Sequence, residues 1–169
     1  MTGVKVMAAL MLAALGGCAS SGEREARHPL EGAAAPGVDL PAVGAAGRAT
    51  TAQPGRVVIL DFWATHCGPC VKAFPRLQAM VDAQPDRVSV VAISEDDERD
   101  LIEPFLRRTG VRFAVGWDET KALAASYRVD SMPTTFVLDR KGTVRFVHRG
   151  YREDEVGSID AEVRTLLAE

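Results

Sequence analysis

The 169-residue chain lacks the features of a nucleic-acid-binding protein and of a repeat protein. Its basic residues are scattered, the longest basic runs are the pairs Arg107-Arg108 and Arg140-Lys141, and the net charge is −3. A nucleic-acid partner is therefore excluded. No stretch repeats, and the length and the 47% hydrophobic content suffice for one domain with its own core but not for two.

Long hydrophobic runs are also missing. The N-terminal run from Val6 to Leu15 follows Lys5 and ends in small residues, and it falls short of the about 20 apolar residues that span a bilayer. A basic start, a short apolar stretch and small residues predict a secretory signal. Leu15-Gly16-Gly17-Cys18 is similar to the lipobox of bacterial lipoprotein precursors, in which the cysteine carries lipid. The alternatives are an ordinary signal peptide cut near Ala19 and an apolar N-terminus without a signal function.

The chain then divides into three parts. Residues 1–17 are predicted to be a lipoprotein signal peptide, and residues 18–34 a lipid-anchored flexible tether, because this stretch is polar and without apolar periodicity. His28 lies in the tether and is assigned no role. Residues 35–169 are predicted to form the folded domain.

Cysteine is scarce: the chain has three, and one of them is expected to be modified while the other two form a pair. If Cys18 carries lipid, one pair remains, Cys67 and Cys70. A structural zinc site needs a second such pair or two histidines. The chain has no second pair, and His66 and His148 are not at a ligand spacing, so no metal site is predicted.

The remaining pattern alternates strands with helices, which predicts an α/β domain. Residues 56–64 and 87–94 are apolar and β-branched, as in strands buried on both faces. Shorter strands are predicted at 112–118 and in a hairpin turned at Arg140-Lys141-Gly142. Helices are predicted at 70–84, with Pro75 as a kink, and at 97–110, 119–129 and the C-terminus. Residues 33–54 contain two possible edge strands.

The cysteine pair follows a buried strand and opens a helix. Cys67 would sit at the helix N-terminus, where amide groups and the dipole favour a thiolate. Cys70 would be shielded one turn further in and could resolve a mixed disulfide. Gly68 and Pro69 suit a close backbone approach and a first helical turn. The alternative is a structural disulfide, although so short a loop contributes little entropic stabilisation.

Two further residues have unusual contexts. Asp61 lies within an apolar strand, where an unpaired carboxylate is costly. It could lie beneath the cysteines and exchange protons with Cys70 through water, with a pKa raised by burial, or it could reach solvent at a strand end. Pro133 immediately precedes a strand. A cis Met132-Pro133 bond would form a rigid bend that holds the Met132 backbone open to a substrate strand.

Together, "VILDFWATHCGPC" and "MPTTF" resemble the thioredoxin superfamily. The lipidated export signal, "APGVDLP" and "VLDRKGTV" are similar to its membrane-anchored TlpA/ResA-like branch. The resemblance implies a thioredoxin fold, with a central mixed sheet flanked by helices, an extra helix–strand unit around 97–116 and an N-terminal β extension. It implies a redox-active Cys67–Cys70 disulfide and Asp61 as the buried acid. Substrate contacts are assigned to Trp63, Gly68, Pro69, Met132 and Pro133.

Three positions depart from the branch. Ala73 stands where a glutamate is common, and Asp61 where asparagine is frequent, so Asp61 becomes the stronger candidate for proton transfer. A role in cytochrome c maturation is correspondingly weakened. His66 stands where tryptophan is usual. Its imidazolium would stabilise the Cys67 thiolate and make the disulfide more oxidising, or it would face solvent with no large effect.

The leading interpretation is an exported thiol–disulfide oxidoreductase, anchored by lipid to a bacterial membrane, that reduces disulfides of client proteins. It would work as a monomer, need no cofactor and be reduced again by a membrane thiol carrier. With no aspartate after Cys18, the outer membrane is slightly favoured over other surfaces. Three alternatives remain open: a disulfide-donating oxidase, a peroxiredoxin-like peroxidase, for which the motif PxxxTxxC is absent, and a non-catalytic binding lipoprotein.

Overall fold

The computed structural model describes residues 27–151 and 155–169. The predicted signal peptide, Cys18 and the tether up to residue 26 lie outside these ranges. Within them, no helix has the length and apolar character needed to cross a membrane.

The described part of the chain alternates strands and helices, as the sequence predicts. The strands are β1 (Asp39–Pro41), β2 (Arg48–Thr50), β3 (Val57–Trp63), β4 (Val88–Ser94), β5 (Ala114–Trp117), β6 (Thr134–Leu138) and β7 (Val144–Arg149). The helices are α1 (Gly68–Ala83), α2 (Ile102–Thr109), α3 (Ala122–Ser126) and α4 (Glu155–Ala168), and a 3₁₀ turn (Arg99–Leu101) precedes α2.

Five strands form one mixed sheet in the order β5-β4-β3-β6-β7. Strand β3 is central: it pairs in parallel with β4 and antiparallel with β6. Strand β5 extends the parallel side, and β7 forms a hairpin with β6. This confirms the predicted α/β architecture with a central mixed sheet, and α2 with β5 is the expected extra helix–strand unit.

The central strand is buried on both faces because helices or loops cover each side. All seven residues of β3 are buried. Val57, Ile59 and Trp63 pack with α1, α2 and α4, whereas Val58, Leu60 and Phe62 pack with the N-terminal extension and α3. Since strand side chains alternate between faces, Asp61 points to the same face as Ile59 and Trp63. The acid therefore lies on the side of the sheet that α1 covers.

The N-terminal β extension forms a separate two-stranded sheet, β1 with β2, over the edge of β5. Gly116 in β5 makes this close approach possible. A Cβ atom at Gly116 would come within 2.9 Å of Leu40 Cδ1 and 3.1 Å of Ala49 Cβ. The predicted edge strands are thus confirmed as strands, and glycine opposite them is a packing requirement.

The predicted tether boundary at residue 34 is wrong for residues 27–34. His28 is only 4% exposed, and its ring packs edge-on against Phe136 with centroids 5.2 Å apart. The amide of Gly32 donates to the carbonyl of Val144. An apolar site on β6 thus accepts a residue that the sequence pattern assigned to a polar linker.

One predicted helix is much shorter than expected. Residues 119–129 show helical spacing, but α3 covers only Ala122–Ser126. Lys121 before it has φ 58° and Arg128 after it has φ 53°, both left-handed. The Nζ of Lys121 donates to the carbonyls of Glu95 and Asp96. Tertiary hydrogen bonds hold Lys121 outside the helix and override its local preference.

Candidate active site

The two cysteines occupy the N-terminus of α1, joined by a disulfide. Cys67 is the N-cap residue, and its Sγ accepts a hydrogen bond from the backbone amide of Cys70 at 3.3 Å. Cys67 is 8% exposed and Cys70 is fully buried. The first turn of α1 carries no acidic residue. Helix amides and the dipole therefore favour negative charge on Cys67, the sulfur nearer solvent.

The backbone around the pair is open on its outer side. Gly68 and Pro69 are exposed, and Pro69 lies in the first turn of α1, where its missing N–H costs no helical hydrogen bond. A Cβ atom at Gly68 would meet nothing within 4 Å. This surface is thus accessible to another chain.

The loop before β6 reaches the same edge of the sheet. Phe62 of β3 pairs with Thr134 of β6, so Pro133 stands beside the end of β3. The Met132–Pro133 peptide bond is cis, as the sequence predicts. Met132 is an exposed apolar side chain, 36% exposed, while Pro133 is buried and its carbonyl accepts from the amide of Gly150.

The prediction that Trp63 contacts substrate is wrong. Its side chain is fully buried and packs against Phe74 and Phe105, with ring centroids 4.8 and 4.9 Å away. Strand alternation places Trp63 under α1 rather than at the surface. It belongs to the core cluster that also contains Cys67 and Cys70.

Asp61 is fully buried, which excludes the alternative that it reaches solvent. Its Oδ1 accepts a 2.6 Å hydrogen bond from the hydroxyl of Thr135. Its Oδ2 has no hydrogen-bond partner among the described residues. Burial raises the pKa of Asp61 to about 7, and the Thr135 hydrogen bond acts in the opposite direction. Asp61 can thus change protonation near neutral pH.

His66 faces solvent, with 74% of its side chain exposed. Its Nδ1 lies 3.8 Å from Oδ1 of Asp96, a carboxylate that is almost completely buried. Any positive charge on the imidazole is therefore shared with an adjacent anion. This geometry favours the expectation of a small effect on Cys67 over that of a strongly stabilised thiolate.

The sequence interpretation missed Asp96, which anchors the loop before Cys67. Its carboxylate accepts hydrogen bonds from the amide and the hydroxyl of Thr65 and from the hydroxyl of Ser94. The signal was "SEDD" directly after a buried strand, at the edge of the sheet where parallel strands end. Thr135 was missed as well, because its partner lies 74 positions away.

Glu95 is a second acid at this edge that the sequence interpretation did not single out. Burial raises its pKa to about 8, and the neighbouring Asp118 adds to this effect while Lys121 opposes it. Its amide donates to the carbonyl of Trp63 at 2.8 Å. The protein thus has two acids with raised pKa in this region: Asp61 within β3, and Glu95, whose amide is bonded to the last residue of that strand. Within residues 27–151 and 155–169, no group of His, Cys, Asp or Glu has the arrangement of a metal site.

A mixed five-stranded sheet with a Cys-x-x-Cys pair capping the helix after its central strand defines the class of thioredoxin-fold thiol–disulfide oxidoreductases, and this chain is one of them. Residues 32–147 match the AhpC/TSA family, and the chain belongs to that family.

Several relatives have names of this class. The chain is 31% identical to the thioredoxin-like protein YneN of Bacillus subtilis over 123 residues, which is 71% of this chain and 72% of YneN. It is 31% identical to sporulation thiol-disulfide oxidoreductase A of the same species, over 53% of this chain and 57% of that protein. It is 30% identical to ResA of Bacillus anthracis, over 53% of each. The chain thus spans little more than half of these two oxidoreductases.

Solved structures agree on the fold. A structure described as a DsbE-type thiol:disulfide interchange protein from Chlorobium tepidum has a TM-score of 0.75 and 31% identity, covering 81% of this chain and 97% of that one. StoA from Bacillus subtilis has a TM-score of 0.62 and 23% identity, over 75% of this chain and 97% of that one. The second likeness supports the fold alone.

Proposed function

We propose that the protein reduces disulfide bonds in client proteins outside the cytoplasm, with Cys67 as the nucleophile and Cys70 as the resolving thiol. The observation that carries the proposal is the unequal burial of the pair at the α1 N-terminus: Cys67 reaches the surface and Cys70 does not. A client sulfur can meet only Cys67. Cys70 is shielded from competing reagents and reacts within the mixed disulfide.

The reaction runs in two exchange steps. The Cys67 thiolate attacks one sulfur of a client disulfide, which forms the mixed disulfide and releases the other client sulfur as a thiolate. Cys70 then loses its proton to Asp61 and attacks the Cys67 sulfur. The Cys67–Cys70 bond forms and the second client thiolate leaves, so the client gains the two electrons that the enzyme dithiol loses.

Two features support the reducing direction. The dipeptide between the cysteines is Gly68-Pro69, that of thioredoxin, whose potential of about −270 mV lies at the reducing end of the scale. Asp96 lies beside His66, so that the imidazole does not act on Cys67 as an isolated cation. Both features support the proposal that the couple donates electrons to clients rather than disulfides.

The proposed setting follows from the N-terminal sequence. Cys18 in its lipobox-like context would anchor the protein to a bacterial membrane, with the domain facing the periplasm or the cell exterior and the outer membrane slightly favoured. Each turnover leaves the Cys67–Cys70 disulfide, so a membrane thiol carrier must return two electrons. We expect the protein to act as a monomer with thiol- or disulfide-bearing clients.

A trapping experiment tests the proposal. The full-length Cys70→Ala variant, expressed in a bacterium, should accumulate mixed disulfides between Cys67 and client proteins that dithiothreitol releases. The Cys67→Ala, Cys70→Ala double variant keeps Cys18, lacks both exchanging thiols and should trap none. Equal adduct levels in the two variants, or no adducts in either, would contradict the oxidoreductase proposal and favour a binding lipoprotein.

A further inference from the structure

The buried acid of the site is held by a neighbour in the sheet. Asp61 of β3 lies directly opposite Thr135 of β6. The two side chains are 0% and 6% exposed, and the Thr135 hydroxyl donates to Oδ1 of Asp61 at 2.6 Å. Opposite residues on antiparallel strands point to the same face. The contact therefore follows from the register that also places Pro133, two residues before Thr135, at the active-site edge.

The hydrogen bond makes the two carboxyl oxygens of Asp61 unequal. Oδ1 is occupied by the Thr135 hydroxyl, and Oδ2 is buried without a hydrogen-bond partner among the described residues. An unpartnered buried polar atom is costly, and a catalytic role is one of the explanations for retaining it. With Oδ1 occupied by a donor, the proton of the neutral acid resides on Oδ2.

We propose that Thr135 is a positioning residue for disulfide exchange: its hydroxyl holds Oδ1 of Asp61 and leaves Oδ2 as the atom that exchanges a proton with Cys70. This inference rests on the proposed function. In the resolving step the Cys70 proton passes to Oδ2, directly or through water, as the Cys70 sulfur attacks Cys67. The client thiolate departs, and Asp61 later returns its proton to solvent, so that charge and electrons balance.

Among the described residues, burial and the Thr135 hydrogen bond are the influences that shift the pKa of Asp61. On the neighbouring strand β4, the residue paired with Asp61 is the apolar Ala92. On the other side of β3, Thr135 of β6 is paired in turn with His148 of β7. The Nε2 of His148 lies 2.8 Å from Oε2 of Glu162 in α4. The ring of His148 is thus in contact with the Glu162 carboxylate. Cys70 of α1 is fully buried in the cluster that lies on this face of the sheet.

A donated hydrogen bond favours the ionised form of its acceptor. The Thr135→Val substitution keeps the shape of the side chain and removes the donor, so the ionised Asp61 loses this stabilising hydrogen bond. We expect the titration midpoint of Asp61 to rise by about one pH unit, which is a tenfold change in its proton affinity. Thr135→Ser retains the hydroxyl and should keep the original midpoint.

The direct test is an NMR titration of the Asp61 carboxyl carbon in the full-length oxidised protein, in which the cysteines do not titrate. The matched control is Thr134→Val. Thr134 is the adjacent buried threonine, but its hydroxyl donates to the carbonyl of Ser131. The Thr134→Val substitution therefore removes a hydroxyl from the same strand but should leave the titration midpoint of Asp61 unchanged. The proposal would be overturned if the Asp61 midpoint were unchanged in Thr135→Val, or if it shifted by the same amount in Thr134→Val.

The second measurement is the rate of mixed-disulfide resolution against pH, with a model disulfide as substrate. Thr135→Val should shift this pH profile to higher pH by the same amount as the NMR midpoint. The same substitution in an Asp61→Asn background should leave the pH profile unchanged. A shift that persists without Asp61 would assign Thr135 a merely structural role. Absence of any exchange would refute the oxidoreductase function, while the titration would still decide whether Thr135 controls Asp61.

Discussion

The imidazole Nδ1 of His66 lies 3.8 Å from the carboxylate Oδ1 of Asp96. His66 is exposed, whereas Asp96 is buried and bound by three hydrogen-bond donors of Thr65 and Ser94. A solvent-exposed ring thus faces a carboxylate that hydrogen bonds hold in place. Because a carboxylate lies beside His66, any positive charge on the imidazole has a smaller electrostatic effect on Cys67.

The first prediction concerns the reduction potential. We expect the Cys67–Cys70 couple to lie near about −270 mV, and His66→Gln to change it by less than about 30 mV, a tenfold change in the exchange equilibrium. Equilibration of the wild type and of the variant with dithiothreitol buffers measures both values. A wild-type value near about −120 mV, falling in His66→Gln, would instead make the protein a disulfide donor whose histidine controls direction.

The second prediction concerns stability and pH. The pKa of Asp61 is about 7 in the folded protein and about 3.9 unfolded, so the folded state binds the extra proton between these values. Stability therefore falls as pH rises from about 4 to about 7, by at most about 4 kcal/mol. Asp61→Asn removes this loss and should be the more stable protein at pH 8.

Urea unfolding of the oxidised wild type and of Asp61→Asn at pH 5 and pH 8 checks this. The stability advantage of the variant should be larger at pH 8. An advantage of equal size at both pH values would mean that Asp61 does not titrate between them.

The third prediction concerns the N-terminal extension. Gly116→Ala places a methyl group 2.9 Å from Leu40 Cδ1 and 3.1 Å from Ala49 Cβ. We expect a loss of about 1–3 kcal/mol in the free energy of unfolding, as for other overpacked sites. Gly37→Ala is the control, because a Cβ atom there meets nothing within 4 Å. Chemical denaturation measures the free energy of unfolding of both variants. Equal values for Gly116→Ala and Gly37→Ala would show that β1 and β2 move aside for the added methyl group without loss of stability.

The fourth prediction separates disulfide from peroxide chemistry. The hydroxyl of Thr65 donates to Asp96 at 2.6 Å, so it is committed to holding the loop before Cys67. We expect the reduced protein to consume hydrogen peroxide no faster than the Cys67→Ala, Cys70→Ala double variant, while it reduces a protein disulfide readily. Peroxide loss that depends on Cys67 and outpaces disulfide reduction would favour a peroxidase.

The fifth prediction concerns the lipid anchor. Cells fed a labelled fatty acid should incorporate the label into the wild-type protein, and membranes should retain it. Cys18→Ala should lose both label and membrane retention while Cys67 and Cys70 remain active. A labelled Cys18→Ala protein would place the modification elsewhere, and an unlabelled wild type would support ordinary signal-peptide cleavage.

The sequence by itself determined the architecture and the reacting pair. Buried strands read as continuous apolar runs, and β3 and β4 were placed within a residue or two. Cys67 and Cys70 followed from a local pattern, since a strand end, a helix start and a two-residue spacing are all contained in one short segment. The cis bond at Pro133 was also anticipated from its position before a strand.

Only the tertiary structure decided what distant segments do to one another. It buried Trp63 under α1, paired Asp61 with Thr135, set Asp96 beside His66 and docked His28 on Phe136. Each of these contacts joins positions that strand register or helix packing brings together. Neither the register nor the packing can be derived from local patterns in a single sequence. The local pattern thus names the chemistry, while the packing sets the charge and hydrogen bonding around it.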